Sequence, residues 1–348
     1  MHSKQPTKLP LRNSVPLLEN LNILKPFLNN SENTEIVINK PYEVLTESYN
    51  GWKYHSVPEL SFRACMNIAK LTATYTKQSL DERHPIISGT LPDGERVQIV
   101  IPPVTLQGQV SITIRKPSSI SFTLNDYHEQ GLFSDCSVDK SGLLKEDEDL
   151  LTLLKKRDFV NFFKLAVSSQ KNIIISGSTG SGKTTFCKSL LNLVPENERL
   201  ISIENVDELK IYETHPNSTS LFYSAGGQGV SPITQQELLE SSLRMKPDRI
   251  FVAELIRGDE AFYYLRNVNS GHPGSITTLH ANSTRLAFEQ LVLFIKESNA
   301  GNTLGREDIK QLLYMCVDII VQIKNIKGNR RITEVYFDPI KKLNAQVD

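Results

Sequence analysis

One short segment constrains this chain more than any other. Gly177-Ser178-Thr179-Gly180-Ser181-Gly182-Lys183-Thr184 fits G-x-x-x-x-G-K-[ST] at every defined position, and Thr185 follows it. The apolar run Ile173-Ile174-Ile175 precedes it, and Phe186, Leu190, Leu191 and Val194 recur at helical spacing after it. A strand, a tight glycine turn and a helix are what this pattern asks for. Glycines let the backbone curl until its N–H groups face phosphate oxygens, and the helix N-terminus adds positive potential. Lys183 can then reach the β- and γ-phosphates, and the Thr184 hydroxyl can ligate Mg²⁺. The segment predicts a nucleoside triphosphate site carried by an α/β sheet.

From Leu150 onward the texture agrees. Short apolar runs (Asn172–Ser176, Leu200–Ile203, Ile250–Ala253, Ser275–Thr278, Val317–Ile323) alternate with helical stretches such as Thr234–Met245 and Arg285–Glu297. That alternation predicts a mainly parallel sheet over residues 151–348. Residues 1–118 read instead as a smaller α+β domain. Strands are expected over Thr34–Asn39 and Tyr42–Thr46 around Lys40-Pro41, and a helix over Ser61–Gln78. Two alternating strands follow the turn Leu91-Pro92-Asp93-Gly94. Val97, Ile99 and Ile101, then Val110, Ile112 and Ile114, point to a core. Arg96, Gln98, Val100, Ser111, Thr113 and Arg115 point away from it. On pattern alone the face with Arg96 and Arg115 reads as solvated. Residues 119–150 form a polar linker ending in the acidic run Lys145–Asp149, read as a solvated helix start.

Composition removes other classes. With 348 residues, two domains can each bury a core, and 39% hydrophobic with 22% charged residues is ordinary globular usage. Lys+Arg and Asp+Glu both number 39, so the chain lacks the basic surplus that stable, non-specific nucleic-acid binding needs. Cys65, Cys136, Cys187 and Cys316 lie far apart, which gives no support to a zinc ribbon or a paired-thiol redox site. The opening Met1-His2-Ser3-Lys4-Gln5-Pro6 lacks an apolar signal region. The run Val317–Ile323 is interrupted by Asp318 and Gln322 and is far too short to span a bilayer. A cytoplasmic protein without a membrane anchor is expected.

Hydrolysis requires acids at the phosphate end. Lys246-Pro247-Asp248-Arg249-Ile250-Phe251-Val252-Ala253-Glu254 reads as a turn, a strand and a carboxylate at its tip, expected beside the phosphate-loop strand. There Glu254 can hold Mg²⁺ through water or orient the attacking water. Glu204, Asp207 and Glu208 follow the strand Leu200–Ile203, at the edge where open α/β sheets bind ligands. Spacing leaves both Glu204 and Glu208 open as the water-activating base. His280, just past the strand Ser275–Thr278, sits on the same edge, where an imidazole can polarise phosphate.

Together these segments resemble the hexameric traffic ATPases of type IV secretion systems, within the secretion ATPase superfamily that also serves type II secretion and type IV pili. Gly177–Thr185 looks like its Walker A box, Ile203–Leu209 its Asp box, Arg244–Glu254 its Walker B box and Ser270–Asn282 its His box. The similarity continues through Gly94–Gln98 and Ser111–Pro117. It departs at Asn205, where an Asp is usual, and at Ala253-Glu254-Leu255-Ile256-Arg257, one residue longer than the usual Gly-Glu-x-Arg. No four-cysteine zinc module is present, which favours the type IV secretion branch over pilus-type motors.

The resemblance implies a RecA-like P-loop ATPase domain behind the α+β domain, with ATP and Mg²⁺ as ligands. It implies Glu208 as catalytic carboxylate, Glu254 as Walker B acid, His280 near the nucleotide, and Arg96 and Arg115 reaching the nucleotide from the N-terminal domain. It also implies a homohexamer, peripheral at the cytoplasmic face of an inner membrane. The partners it implies are other secretion ATPases and inner-membrane components. A small-molecule kinase, a nucleotide-gated scaffold and a nucleic-acid translocase are the alternatives.

Overall fold

The computed structural model describes residues 14–117, 123–136, 142–224 and 229–347, and the chain divides into two units. Residues 1–129 with 226–233 form one unit, and residues 130–225 with 234–348 form the other. The opening hexapeptide and the expected boundary at 118–119 lie outside the described residues.

In the first unit, helices α1 (Val15–Asn20), α2 (Lys25–Leu28), α3 (Phe62–Thr76) and α4 (Leu124–Glu129) accompany six strands. These are β1 (Glu35–Ile38), β2 (Glu43–Ser48), β3 (Gly51–Ser56), β4 (Ile86–Thr90), β5 (Arg96–Val100) and β6 (Ser111–Arg115). They form an antiparallel sheet in the order β3-β2-β1-β6-β5-β4. Helix α3 starts where the Ser61 hydroxyl accepts the Ala64 N–H, and it stops where Lys77 takes a left-handed conformation. Its Ile68, Ala69 and Ala73 pack into one core with Ile36, Ile38, Val97, Ile99, Ile112 and Ile114. Each isoleucine or valine among them stabilises the unit by about 1.5–3 kcal/mol when fully buried, and each alanine by less.

The other face of that sheet corrects the sequence reading. Leu45, Val37, Thr113 and Gln98 stand side by side in register across β2-β1-β6-β5, and all four are buried. Only the arginine ends of β5 and β6 are exposed. Alternation identified the two faces but could not show that small and amide side chains, such as Gln98 bonded by the Ser88 hydroxyl, permit burial of both.

In the second unit the helices are α5 (Lys145–Lys155), α6 (Phe159–Ser168), α7 (Lys183–Leu191), α8 (Gln235–Ser242), α9 (Gly258–Val268), α10 (Thr284–Glu297), α11 (Arg306–Cys316) and α12 (Pro339–Val347). The strands are β7 (Ile173–Gly177), β8 (Leu200–Glu204), β9 (Ser218–Phe222), β10 (Arg249–Val252), β11 (Ile276–Leu279), β12 (Ile319–Ile326) and β13 (Asn329–Phe337). The sheet order is β13-β12-β7-β11-β10-β8-β9, parallel throughout except for the β12–β13 hairpin. The mainly parallel α/β expectation holds.

Strand order does not follow the expectation. The strand that carries Glu254, β10, is not beside the phosphate-loop strand β7, because β11 pairs with both. Nor is the acidic run of α5 wholly solvated. Its Asp147 pairs with the largely buried Lys171 ammonium at 2.5 Å and so ties α5 to the start of β7.

Buried polar groups fasten the edge of the sheet away from the phosphate loop. The Asn172 side chain donates to the Cys316 carbonyl and accepts from the Gly274 and Ser275 N–H groups, while its backbone N–H donates to Asp318. Three strand starts are thereby locked at one residue. Arg249 is fully buried, forked onto Glu198 at 2.5 and 2.9 Å, and donates to the Val167 carbonyl. Arg199, also buried, donates to the Met245 carbonyl and to Asn217 at 2.7 Å each. The Asp248-Arg249 part of the Walker B box thus serves the sheet rather than the ligand edge.

Candidate nucleotide site

The phosphate loop closes tightly because its glycines have no alternative. Gly180 and Gly182 lie at φ +72° and +98°, a region that side chains disfavour. A Cβ at Gly177 would meet the Ile323 carbonyl oxygen at 2.6 Å and the Ser181 hydroxyl at 2.5 Å. Helix α7 starts at Lys183, so the loop N–H groups and the first turn of that helix point at one small volume. Ser181 is completely buried within the loop, and its hydroxyl has no partner among the described residues.

A cavity of about 340 Å³ opens at this end of the sheet. Thr179, Gly180, Lys183 and Thr184 line one side, and Asn205, Glu208, Glu254 and His280 line the others. Lys183 is nearly buried; its ammonium donates to the Gly177 carbonyl at 3.1 Å and the Ser178 carbonyl at 3.4 Å. Burial pulls its pKa below the ordinary lysine value, and the Glu254 carboxylate, 3.8 Å away, opposes that shift. His280 completes the cluster. Its Nδ1 lies 3.4 Å from the lysine Nζ and its Nε2 lies 2.9 Å from Glu254 Oε1. With the proton on Nε2, the imidazole accepts from Lys183 and donates to Glu254, and so bridges the two.

Neighbouring strands hold these groups in place. The Thr278 hydroxyl donates to the Ala253 carbonyl, and the Leu255 N–H donates to the Thr278 carbonyl, each at 2.8 Å. The segment after His280 is held by Gln322 and Ser176, whose side chains both donate to the Ala281 carbonyl.

The two glutamates of the Asp box separate cleanly. Glu204 is the last residue of β8 and completely buried. It accepts from the Ser202 hydroxyl at 2.7 Å, the Glu208 N–H at 3.0 Å and the Leu209 N–H at 2.8 Å. Burial raises its pKa despite those hydrogen bonds. It therefore shapes the loop that presents Glu208, and Glu208 is exposed and faces the cavity. Tyr223 also lines the cavity. Sequence reading missed it along with the preceding strand β9, although Thr219, Leu221 and Phe222 carried a weak β signal.

The donors suit a hard cation. The Thr184 hydroxyl and two carboxylates offer oxygen ligands, and one lysine offsets only one of the two acids. Among the described residues no group of three or more His, Cys, Asp or Glu side chains converges to hold a metal unaided.

Arg96 and Arg115 belong to the first unit. They face each other in register on β5 and β6, both exposed, and Arg115 Nε lies 3.6 Å from the buried Glu35 carboxylate on β1. Arg96 forms no ion pair among the described residues.

An oxyanion-ready loop facing two carboxylates across a small polar cavity is the equipment of phosphoanhydride hydrolysis, and by fold and site the chain is a P-loop ATPase. The profile of the family described as "Type II/IV secretion system protein" matches residues 59–323. The type IV secretion system protein VirB11 of Bartonella henselae is 49% identical over 339 residues, covering 94% of each chain. VirB11 of Brucella suis is 39% identical over 342 residues, covering 97% of this chain and 94% of its own. The crystal structure of the Brucella suis VirB11 ATPase, solved with sulphate, superposes with a TM-score of 0.91 at 38% identity, covering 97% and 98% of the two chains. The chain belongs to the type II/IV secretion family, among its VirB11 ATPases.

Proposed function

We propose that this chain hydrolyses ATP at the cavity beside Lys183 to drive a type IV secretion system. It would act as a homohexamer peripheral to the cytoplasmic face of an inner membrane, working with other secretion ATPases and inner-membrane components on export, pilus assembly or both. The observation that carries the site assignment is the Lys183–His280–Glu254 cluster, which unites three motifs far apart in sequence. Among the described residues no helix is long and apolar enough to cross a membrane, which agrees with peripheral attachment.

In this reading, loop N–H groups and the Lys183 ammonium hold the β- and γ-phosphates. Lys183 exchanges its two carbonyl acceptors for phosphate oxygens, which releases His280 from it. Glu208 takes the proton of the attacking water, because it is the exposed acid of the Asp box. His280 keeps Glu254 oriented. The Thr184 hydroxyl, and Glu254 through water, would hold Mg²⁺, which when bound neutralises charge on the phosphate oxygens. Arg96 and Arg115 are assigned to the charge of the nucleotide. Two like charges placed opposite each other in a sheet destabilise one another, and an anion relieves that repulsion.

ATP turnover and light-scattering mass, measured with nucleotide for wild type and Lys183→Ala, test this. Wild type should turn over ATP as a ring, and the variant should not turn over. Unchanged hydrolysis in Lys183→Ala would remove the site assignment, and a strictly monomeric wild type would remove the ring.

A further inference from the structure

Strand order brings a tyrosine to the same cavity wall as the two acids. Strand β8 lies between β10 and β9, and backbone hydrogen bonds hold the ends of all three level. The Ala253 N–H donates to the Ile203 carbonyl and the Tyr223 N–H to the Glu204 carbonyl, each at 3.0 Å. Glu254 follows Ala253, so Glu254 and Tyr223 flank the end of β8 from opposite sides, and the loop leaving β8 between them carries Glu208. Glu204 sets two of these positions at once. Its carboxylate accepts from the Glu208 N–H at 3.0 Å, and its carbonyl accepts from the Tyr223 N–H. Glu208, Glu254 and Tyr223 all line the cavity.

Tyr223 is buried, at 9% exposure, yet its hydroxyl has no hydrogen-bond partner among the described residues. The cavity is therefore where its partner comes from. Burial, with the Glu260 and Glu254 carboxylates nearby and Arg257 opposing them, pushes its pKa up to about 12, so it stays a donor at neutral pH. With two carboxylates to one guanidinium around it, a phosphate oxygen is a poor partner and a neutral molecule a good one. Water is the neutral reactant of hydrolysis. We infer that the Tyr223 hydroxyl donates to the attacking water and aims it at the terminal phosphate. A water has two protons and two lone pairs. Tyr223 occupies one lone pair, Glu208 takes one proton, and the other lone pair is left for phosphorus. The new bond joins the water oxygen to the γ-phosphorus, and the bond from that phosphorus to the β–γ bridging oxygen breaks, its electrons leaving with ADP. One water proton goes to Glu208, the other stays on the new phosphate, and the phenol keeps its own. An orienting donor of this kind acts on the transition state, so its loss falls on kcat rather than on ATP affinity.

This inference rests on Glu208 as the base, so its test separates the two. Wild type, Tyr223→Phe, Glu208→Gln and the double variant, each as the full chain, would be compared in steady-state ATP turnover. Binding of ADP, AMP-PNP and ADP with aluminium fluoride, which mimics the phosphate under attack by water, would be titrated with Mg²⁺. Tyr223→Phe keeps the ring and its packing and should lower kcat about tenfold, the worth of one neutral hydrogen bond. Its KM and its affinity for ADP and AMP-PNP should stay within about twofold of wild type, while its affinity for ADP–aluminium fluoride falls with kcat. In the Glu208→Gln background the same substitution should cost less than about twofold, because the water it aims no longer has a base. Unchanged kcat in Tyr223→Phe overturns the inference and leaves Glu208 in place. So does a loss of ADP affinity equal to the loss of turnover, which would make Tyr223 a nucleotide contact. Full additivity of the two substitutions overturns it as well, because they would then act on separate steps. Unchanged turnover in Glu208→Gln removes the base, and this inference with it.

Discussion

The Asp box holds two glutamates that sequence spacing leaves equivalent, and the structure predicts that they fail differently. Glu204 accepts three hydrogen bonds in a fully buried setting, two of them from the Glu208 and Leu209 backbone N–H groups. Glu204→Ala strands both N–H groups. At about 1–3 kcal/mol for each unsatisfied buried donor, the loss is about 2–6 kcal/mol, a large share of the ~5–15 kcal/mol that holds a domain together. With a urea slope of about 2 kcal/mol/M, a loss of 4 kcal/mol lowers the unfolding midpoint by about 2 M. Glu204→Gln keeps an oxygen for the two N–H groups and leaves the midpoint nearly in place.

The pH dependence carries a sign of its own. Burial raises the folded pKa of Glu204 above the ordinary 4.5, so the folded state binds more protons than the unfolded state in the window above that value. Its contribution to stability is fully present below 4.5 and is lost as pH rises through the window, and Glu204→Gln should flatten that decline. Glu208→Gln should leave the midpoint unmoved and cut ATP turnover about 10²- to 10⁴-fold, the usual loss of a general base. Urea titrations and steady-state turnover on the three variants are sufficient. If Glu204→Gln stays folded and loses turnover as Glu208→Gln does, the division of labour is refuted and Glu204 is the base.

Other perturbations reach the rest of the domain. Arg249→Met leaves the half-buried Glu198 without its fork and the Val167 carbonyl without its donor, and should cost about 1–3 kcal/mol in urea unfolding, with Arg249→Lys recovering only part. Gly177→Ala drives a methyl into the Ile323 backbone carbonyl, which cannot withdraw as a side-chain tip would. It should abolish nucleotide binding measured by isothermal titration. Burial depresses the Lys183 pKa, so the folded state sheds that proton before the unfolded state does. Stability should therefore rise with pH in the alkaline range below 10.5. Lys183→Met should remove that rise in alkaline urea titrations and remove nucleotide binding with it.

What was legible in the sequence is what local chemistry compels. The phosphate loop could be read residue by residue because Gly180 and Gly182 take backbone conformations few other residues tolerate. Strands β7, β8, β10, β11 and β12 were legible as apolar runs buried on both faces. Strand β9 was not, because Ser218, Thr219 and Ser220 are buried as polar residues and break the apolar signal. Strand β13 was missed for the opposite reason. As the edge partner of β12 it exposes Arg330, Arg331 and their neighbours, and so reads as a loop. Arg199 and Arg249 had no signal, since a buried arginine is set by carbonyls and carboxylates distant in sequence.

Strand order was the largest thing the sequence did not contain, and it decides how the site works. Glu254 lies 3.8 Å from the Lys183 ammonium although their strands are not adjacent. Because β11 intervenes, the residue just past its end, His280, stands between them, at 3.4 Å from one and 2.9 Å from the other. That lysine–carboxylate pair is long, while the His280–Glu254 contact is 2.9 Å. On the lysine side the imidazole contact is long, 3.4 Å, and it can be given up while the shorter bond to Glu254 stays. The inserted strand thus supplies an imidazole that keeps the acid aimed while Lys183 turns to phosphate. His280→Ala should then affect two quantities in opposite ways. Glu254 loses its orienting donor, so turnover falls, while nucleotide affinity holds or rises because one competitor for Lys183 is gone. Equal losses of turnover and affinity would mean that His280 binds nucleotide itself, and the bridging role would be wrong.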